Sequence, residues 1–196
     1  MNGVNRLLVI IFLLLGLIGH SIQSNAEPLN PENVISAQEA ESHLNIQSGT
    51  TLNKVGAFVQ KKFFKVLSKP FISSGEFRIS DNQFSWQTLK PVKSAITYKN
   101  NQLFFEDSTG NKKAPPQADT VSRLLRTLIS GNMKGLSDSF SFYVGDNTSQ
   151  CVSLVPKQAT MSQFIEQIDV CGNRDVETFV LYDKNKNRTE ISLSYN

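Results

Sequence analysis

Short segments in which apolar and polar residues alternate, each closed by a turn-forming pair, place the strongest constraint on this chain. The stretch Phe71–Trp86, FISSGEFRISDNQFSW, contains two such segments separated by Asp81-Asn82. A period of two residues is typical of a β-strand with one apolar face and one polar face. Asparagine-containing turns between such segments favour hairpins. We therefore expect neighbouring segments to pair as antiparallel strands.

The same pattern recurs along most of the chain and predicts about ten strands in two groups. They are Leu52–Val66, Phe71–Ser80, Gln83–Thr88, Lys93–Lys99 and Gln102–Asp107, then Ser139–Gly145, Gln150–Lys157, Phe164–Cys171, Glu177–Asp183 and Thr189–Tyr195. Two helices accompany them, one capped by Ser36 and one between the groups, so the predicted class is mainly β (α+β).

One face of the predicted sheet is strongly aromatic, whereas the other carries charges such as Glu76, Arg78 and Lys99. The apolar positions that we predict to line a lipid-binding face are Phe77, Ile79, Phe84, Trp86, Ile96, Phe140, Phe142, Leu154 and Leu193. Two short helices are too small to cover ten strands unless the sheet curls, and a curled, incompletely filled sheet forms an apolar pocket. A well-packed barrel would leave the same pattern in the sequence.

The helix between the two strand groups carries an apolar stripe. Asp119 or Thr120 is its predicted cap, and Gly131 closes it. The stripe, at helical spacing, is Val121, Leu124, Leu125, Leu128 and Ile129, with Ser122, Arg123, Arg126 and Thr127 on the opposite side. The stripe fits either a core helix that plugs the sheet or a lid over an apolar cavity, hinged on Pro115-Pro116.

The first 26 residues have the pattern of a secretory signal peptide. Arg6 precedes an apolar run from Leu7 to Gly19. The small residues Ser24 and Ala26 then stand at the two positions that a signal peptidase reads, which predicts cleavage after Ala26. Thirteen apolar residues span about 20 Å as a helix, which is short of the ~30 Å hydrocarbon core of a membrane. We therefore expect residues 1–26 to be removed and residues 27–196 to fold as one exported domain.

The two cysteines fit an exported protein, since a lone pair usually forms a disulfide in an oxidising compartment. A hairpin folded about residue 161 would bring Cys151 opposite Cys171 on the polar face, with Val152 and Leu154 on the other face. No Cys-x-x-Cys motif accompanies them, so we predict a structural bridge.

Several function classes lack support in the sequence. The chain has 20 Lys+Arg against 17 Asp+Glu, too small a surplus to indicate nucleic-acid binding. There is no nucleophile-elbow or zinc-protease motif, and we expect neither an enzyme nor a cofactor or metal. The segment from Asp183 resembles a calcium loop only at its first ligands, because Arg188 and Ser194 replace the required glycine and glutamate.

The segment Ala57–Asp107 resembles the LolA family of outer-membrane lipoprotein carriers. It contains Phe58-x-Gln60-x-Lys62 and Phe84-x-Trp86 followed by Lys90-Pro91, and the later segments LVPK, FIEQIDV and DKNKNRTEISL agree with the family. The resemblance implies an unclosed, strongly curved antiparallel barrel with short helices as a lid. It further implies a monomeric periplasmic carrier that takes acyl chains from an inner-membrane ABC transporter to an outer-membrane acceptor.

One feature of that family is missing here. Its members place arginine and proline just before Phe-x-Trp, where the arginine ties the sheet to the lid, but this chain has Ser80-Asp81. The nearest arginine, Arg78, lies on the opposite strand face from Phe77. The chain thus resembles a divergent LolA-like branch, whose cargo is either lipoprotein or another lipid or glycolipid. The alternative function is a cell-envelope adaptor protein in which the aromatic face is ordinary core.

Overall fold

The computed structural model describes residues 29–46, 52–100, 102–114, 118–145 and 150–196. The predicted signal peptide and the Pro115-Pro116 hinge lie outside these ranges. The strands are β1 (Val34–Ile35), β2 (Asn53–Phe63), β3 (Phe71–Ser80), β4 (Gln83–Lys90), β5 (Ser94–Lys99), β6 (Gln102–Asp107), β7 (Phe140–Val144), β8 (Cys151–Pro156), β9 (Ile165–Asn173), β10 (Asp175–Asp183) and β11 (Arg188–Tyr195). The α-helices are α1 (Ala37–His43), α2 (Ala118–Ser130) and α3 (Ala159–Ser162).

All described strands belong to one antiparallel sheet. Their order is β1-β7-β8-β9-β10-β11-β2-β3-β4-β5-β6. Strands β2 to β6 and strands β7 to β11 each pair in chain order, β11 returns to pair with β2, and β1 pairs with β7. The sheet has two edges, β1 and β6, and is unclosed. It curls because strands from both halves bury one side against a single hydrophobic cluster. The predicted fold class is therefore confirmed.

The described residues contain eleven strands where about ten were predicted. The extra strand is β1, only two residues long, which pairs with Tyr143 and Phe142 of β7. Two residues are too few to display an alternating pattern, so no periodicity marked it. All ten predicted strands are present. Phe71–Ser80 and Gln102–Asp107 have the predicted bounds, whereas the others have shifted ends; for example, the first ends at Phe63 rather than Val66.

Local sequence features explain where α1 begins and where α2 ends. Ser36 caps α1 as predicted: its Oγ accepts from the Glu39 N–H, and the Glu39 carboxylate accepts from the Ser36 N–H. Gly131 terminates α2 with a φ of 75°, as expected for glycine after a helix. The predicted cap of α2 is wrong, because the helix already includes Ala118, so Asp119 and Thr120 lie inside its first turn.

A disulfide links β8 to β9. Cys151 and Cys171 are directly opposite in the register of the two strands and are bonded, with their Cα atoms 4.1 Å apart, as predicted. On the same face, the Asp169 carboxylate accepts hydrogen bonds from Ser153 and Gln167, each at 2.6 Å. The bridge and this polar cluster hold the outer face of the hairpin, while Val152 and Leu154 are fully buried on its inner face.

Candidate functional site

The residues predicted to bind lipid lie on the concave face of the sheet. All nine are between 0% and 7% exposed, and eight of them belong to one hydrophobic cluster. Ile96 is buried outside that cluster, opposite Trp86 on one side and Phe105 on the other. The structure thus brings the predicted face together and covers it. Contact of these residues with lipid stays a prediction.

An aromatic stack forms the centre of the face. The rings of Phe58 and Trp86 are stacked with centroids 3.8 Å apart, although β3 runs between their strands. Phe58 is opposite Gly75 of β3, and a Cβ on Gly75 would come within 2.9 Å of the Phe58 ring. The missing side chain of Gly75 therefore lets the Phe58 ring cross β3 and reach Trp86.

A second glycine makes room for an aromatic ring at the next position on the same side of β2. Gly56 is opposite Phe77, and a Cβ there would lie 2.9 Å from the Phe77 ring. The Phe77 ring is 6.3 Å from that of Trp86 and meets the ring of Tyr195 edge-on at 5.5 Å. The Tyr195 hydroxyl donates to the Val176 carbonyl at 2.5 Å, and burial raises the pKa of Tyr195. Two glycines in neighbouring strands thus allow four rings to pack as one layer.

Some residues of this face were missing from the predicted site. The most important is Phe58, which is 2% exposed. The alternation in β2 could have identified it, since the buried positions Gly56, Phe58 and Gln60 alternate with exposed ones along the strand. Others came from segments where no alternation was expected: Ala40 and Leu44 at α1, and Met133 after α2. Their burial depends on which helix packs where, which the local sequence does not specify.

Helix α2 covers part of the concave face. Leu125, Leu128 and Ile129 are buried in the same cluster as the aromatic residues, and Val121 and Leu124 pack against it half-buried. The predicted stripe is wrong at Ser122, which faces inward and is 2% exposed. A hydroxyl is tolerated there because it donates to the Ala118 carbonyl one turn earlier, at 2.6 Å.

Polar contacts attach the C-terminal half of α2 to the sheet. The guanidinium of Arg126 donates from Nη2 to the carbonyl oxygens of Ser80, at 3.1 Å, and Asp81 in the β3–β4 turn. Lys54 of β2 donates to the Ile129 carbonyl at 3.3 Å and forms an ion pair with Asp175 at 2.7 Å. A cation beside the last turn of a helix is favourable because the carbonyl ends carry partial negative charge.

The segment after α2 is attached to α1. Glu41, which is 4% exposed, accepts from the Lys134 N–H at 3.2 Å. At Gly131, a Cβ would come within 2.9 Å of the side chain of Ile46, which follows α1. The two helical segments therefore pack as one unit against the described strands.

The concave face becomes polar near the end of β2. Gln60, Lys62, Thr189 and Asp183 are each between 4% and 6% exposed. Burial lowers the pKa of Lys62 to about 7, and the nearby Asp183 carboxylate opposes part of that shift. The apolar face thus has one end where a charge can be gained or lost close to neutral pH.

Within the described ranges, no three His, Cys, Asp or Glu side chains lie close enough to hold a metal ion. No helix in those ranges has the length and apolar character needed to cross a membrane.

Comparisons with known proteins gave one family match and several structural neighbours. The family described as "Outer membrane lipoprotein carrier protein LolA" matches residues 50–195. No curated protein matches the chain. A LolA superfamily protein from Nitrosomonas europaea is a structural neighbour at 10% identity and a TM-score of 0.47, covering 82% of this chain and 92% of its own. A DUF1329 family protein from Desulfovibrio piger is another, at 10% identity and a TM-score of 0.44, covering 81% and 88% respectively.

The family match spans β2 to β11 and therefore includes the aromatic stack, α2 and the disulfide. It covers well over half of the chain. The chain belongs to the LolA family of outer membrane lipoprotein carrier proteins.

Proposed function

We propose that the protein is a non-enzymatic periplasmic carrier that holds the acyl chains of lipoproteins, or of another lipid, between its concave aromatic face and helix α2. One observation carries this proposal. A continuous hydrophobic cluster joins the aromatic face to a helix whose polar tethers lie in its C-terminal half. Membership of a carrier family supports a carrier-type role. Collection from an inner-membrane ABC transporter and delivery to an outer-membrane acceptor, by a monomer, complete the proposal.

The energies involved favour exchange of α2 for cargo. An acyl chain gains roughly 0.8 kcal/mol for each buried methylene, which amounts to about 12 kcal/mol for a chain of about sixteen carbons. A hydrogen bond to a charged group contributes about 1.5–3 kcal/mol. The few tethers of α2 are therefore weaker than the gain from sheltering a chain that would otherwise be exposed to water. Leu125 and Leu128 need not meet water when α2 moves, because they can pack on the acyl chain instead.

Arg126 supplies the lid latch that the family pattern led us to expect from the sheet. Carriers of the family place the latch arginine just before Phe-x-Trp, where this chain has Ser80 and Asp81. Here the backbone carbonyls of those two positions accept from an arginine on the helix. We infer that the latch is retained with donor and acceptor exchanged between lid and sheet.

A second candidate function is an envelope adaptor in which the aromatic face is permanent core. It is favoured by the complete burial of that face, since none of the nine residues exceeds 7% exposure. In that case α2 would never leave the sheet, and partners would bind an edge or the outer face.

A release assay separates the two functions. Purified protein is incubated with spheroplasts, and the supernatant is examined for lipoproteins and for other lipids. Lipoproteins in the supernatant support lipoprotein cargo, and other lipids alone support the divergent branch. If the folded protein releases neither, the carrier function is wrong and the adaptor is favoured.

Direct binding can be followed through Trp86, the one tryptophan of the chain. We expect its fluorescence to change on titration with a lysophospholipid, because its ring lies in the proposed groove. Leu124→Asp on the half-buried edge of α2 should abolish that change while the protein stays folded by circular dichroism. Phe104→Asp is the matched control, since Phe104 is 54% exposed on β6. Unchanged binding by folded Leu124→Asp would contradict the proposed site.

A further inference from the structure

Most of the exposed large hydrophobic side chains cluster at one end of the sheet. The described residues contain eight that are at least 41% exposed, and six of these lie between residues 59 and 92. These six are Val59, Val66, Phe71, Ile72, Leu89 and Val92. Single exposed apolar residues are normal on a protein surface, whereas a contiguous group indicates an interaction site.

Strand pairing places the six residues near the same end of the sheet, with Phe71 on the side of Lys62 and Ile72 on the side of Lys61. Lys61 of β2 is opposite Ile72 of β3, and Ser74 of β3 is opposite Lys90 of β4. The β2–β3 turn, which carries Val66, and the β4–β5 turn, which carries Val92, therefore protrude side by side from the same end. The register shift between Ser74 and Gly75 adds Leu89 to the exposed set. We call this surface the lysine-flanked patch.

The charge around these side chains has a single sign. Residues 61–72 and 89–93 contain six lysines and no aspartate or glutamate. Five of the lysines, all except the buried Lys62, are exposed: Lys61, Lys65, Lys69, Lys90 and Lys93. None of these five ammonium groups forms an ion pair within the described part of the chain. The acidic residue opposite Lys61, Glu190, is bound by Arg188 at 2.9 Å.

We propose that the lysine-flanked patch docks the protein on a membrane surface that contains anionic phospholipids. Exposed aliphatic and aromatic side chains on protruding turns can enter the headgroup region, and the long lysine stems let the ammonium groups stay at the phosphates. Each lysine near an anionic surface raises the partition coefficient about fivefold. The proposal goes beyond the carrier function and does not depend on it, because docking uses the protruding turns at the end of β2–β4 and not the buried aromatic cluster.

Sedimentation with vesicles tests the proposal. The purified protein is mixed with vesicles of phosphatidylethanolamine and phosphatidylglycerol, or of phosphatidylcholine alone, and the protein in the pellet is measured. We expect binding to the anionic vesicles that is lost at about 1 M salt, where the Debye length is about 3 Å. This measurement reports docking and not lipid extraction. A protein that cannot extract lipid is still expected to sediment with the anionic vesicles, so failure of the carrier function does not change the readout. Equal binding to both kinds of vesicle, or binding to neither, would overturn the proposal.

Matched variants assign the binding to the patch. Val66→Ser and Lys69→Glu should each lower the partition coefficient about fivefold or more. Val34→Ser is the apolar control, because Val34 on β1 is 54% exposed and Val66 is 53% exposed. Lys99→Glu at the opposite end of β5 is the charge control. Equal effects of patch and control variants would show that the patch does not dock. If the patch variants bind vesicles normally but no longer bind an interacting protein, the patch is a protein-binding surface and the membrane proposal is wrong.

Discussion

Phe58 and Trp86 stack across an intervening strand, with ring centroids 3.8 Å apart. The contact exists because Gly75, in the strand between them, has no side chain to fill the space. A position that contributes no atoms to the aromatic layer therefore decides how the layer packs.

Gly75→Ala tests this dependence. The added Cβ would lie 1.8 Å from the Gln87 carbonyl oxygen and 2.9 Å from the Phe58 ring, so the backbone and the ring must both move. We expect a loss of about 1–3 kcal/mol in the free energy of unfolding, measured in urea. Gly135→Ala is the control, since its Cβ would meet mainly the flexible Asn132 side chain at 3.0 Å. A Gly75→Ala protein as stable as the control would contradict the packing argument.

Removal of the Arg126 guanidinium should loosen α2 without unfolding the sheet. Arg126→Ala deletes both hydrogen bonds to the β3–β4 turn, and a bond to a charged group contributes about 1.5–3 kcal/mol. We expect amide hydrogen exchange in α2 to rise at least about tenfold, while exchange in β8–β9 is unchanged.

Arg123→Ala provides the comparison on the same helix. The Arg123 side chain forms an exposed ion pair with Asp119 one turn away, which is worth a few tenths of a kcal/mol. Exchange in α2 that responds equally to both substitutions would exclude Arg126 as a latch.

Loss of the disulfide should destabilise the β8–β9 hairpin. A bridge between cysteines separated by 20 positions restricts the unfolded chain by about 3 kcal/mol in the loop-entropy description. Cys151→Ser/Cys171→Ser should therefore lower the free energy of unfolding by about that amount. A reductant should lower the stability of the native protein similarly and leave the double variant unchanged. A reductant effect on the double variant would mean that the bridge is not the cause.

Lys62 should make stability depend on pH. Its pKa falls on folding from the ordinary lysine value to about 7, so the unfolded protein binds more protons than the folded one above pH 7. The free energy of unfolding should thus rise between about pH 7 and pH 9, by at most about 1.4 kcal/mol per pH unit.

The Lys62 effect is measured by urea unfolding at several pH values in Lys62→Met and in the native protein. The slope should disappear in Lys62→Met. Lys61→Met, at an exposed neighbouring position, should keep the native slope. Identical slopes in the two variants would refute the assignment to Lys62.

The sequence predicted the parts of this fold that repeat locally. Alternation placed Phe77, Ile79 and Trp86 on one face of the sheet and Arg78 on the other. Turn residues separated the strands, and the opposed hairpin segments paired Cys151 with Cys171. Each of these signals depends only on neighbouring residues, because strand periodicity and turn chemistry are local properties.

The sequence did not predict the features that depend on contacts between distant segments. Ser122 lies on the buried side of α2, and Phe58 joins the aromatic layer because Gly75 lies opposite it. The short strand β1 has no pattern of its own and exists through its pairing with β7. Arg126 reaches the Ser80 and Asp81 carbonyls only because the fold brings α2 to the β3–β4 turn.

The sequence by itself therefore determined the strand content, the aromatic face and the disulfide of this protein. Tertiary structure alone decided which helix covers that face, which arginine ties it down, and which exposed side chains form one patch with the lysines. The physical reason is that alternation specifies the two sides of each strand. The curl of the sheet and the seating of α2 are set by the burial of apolar surface summed over the whole domain.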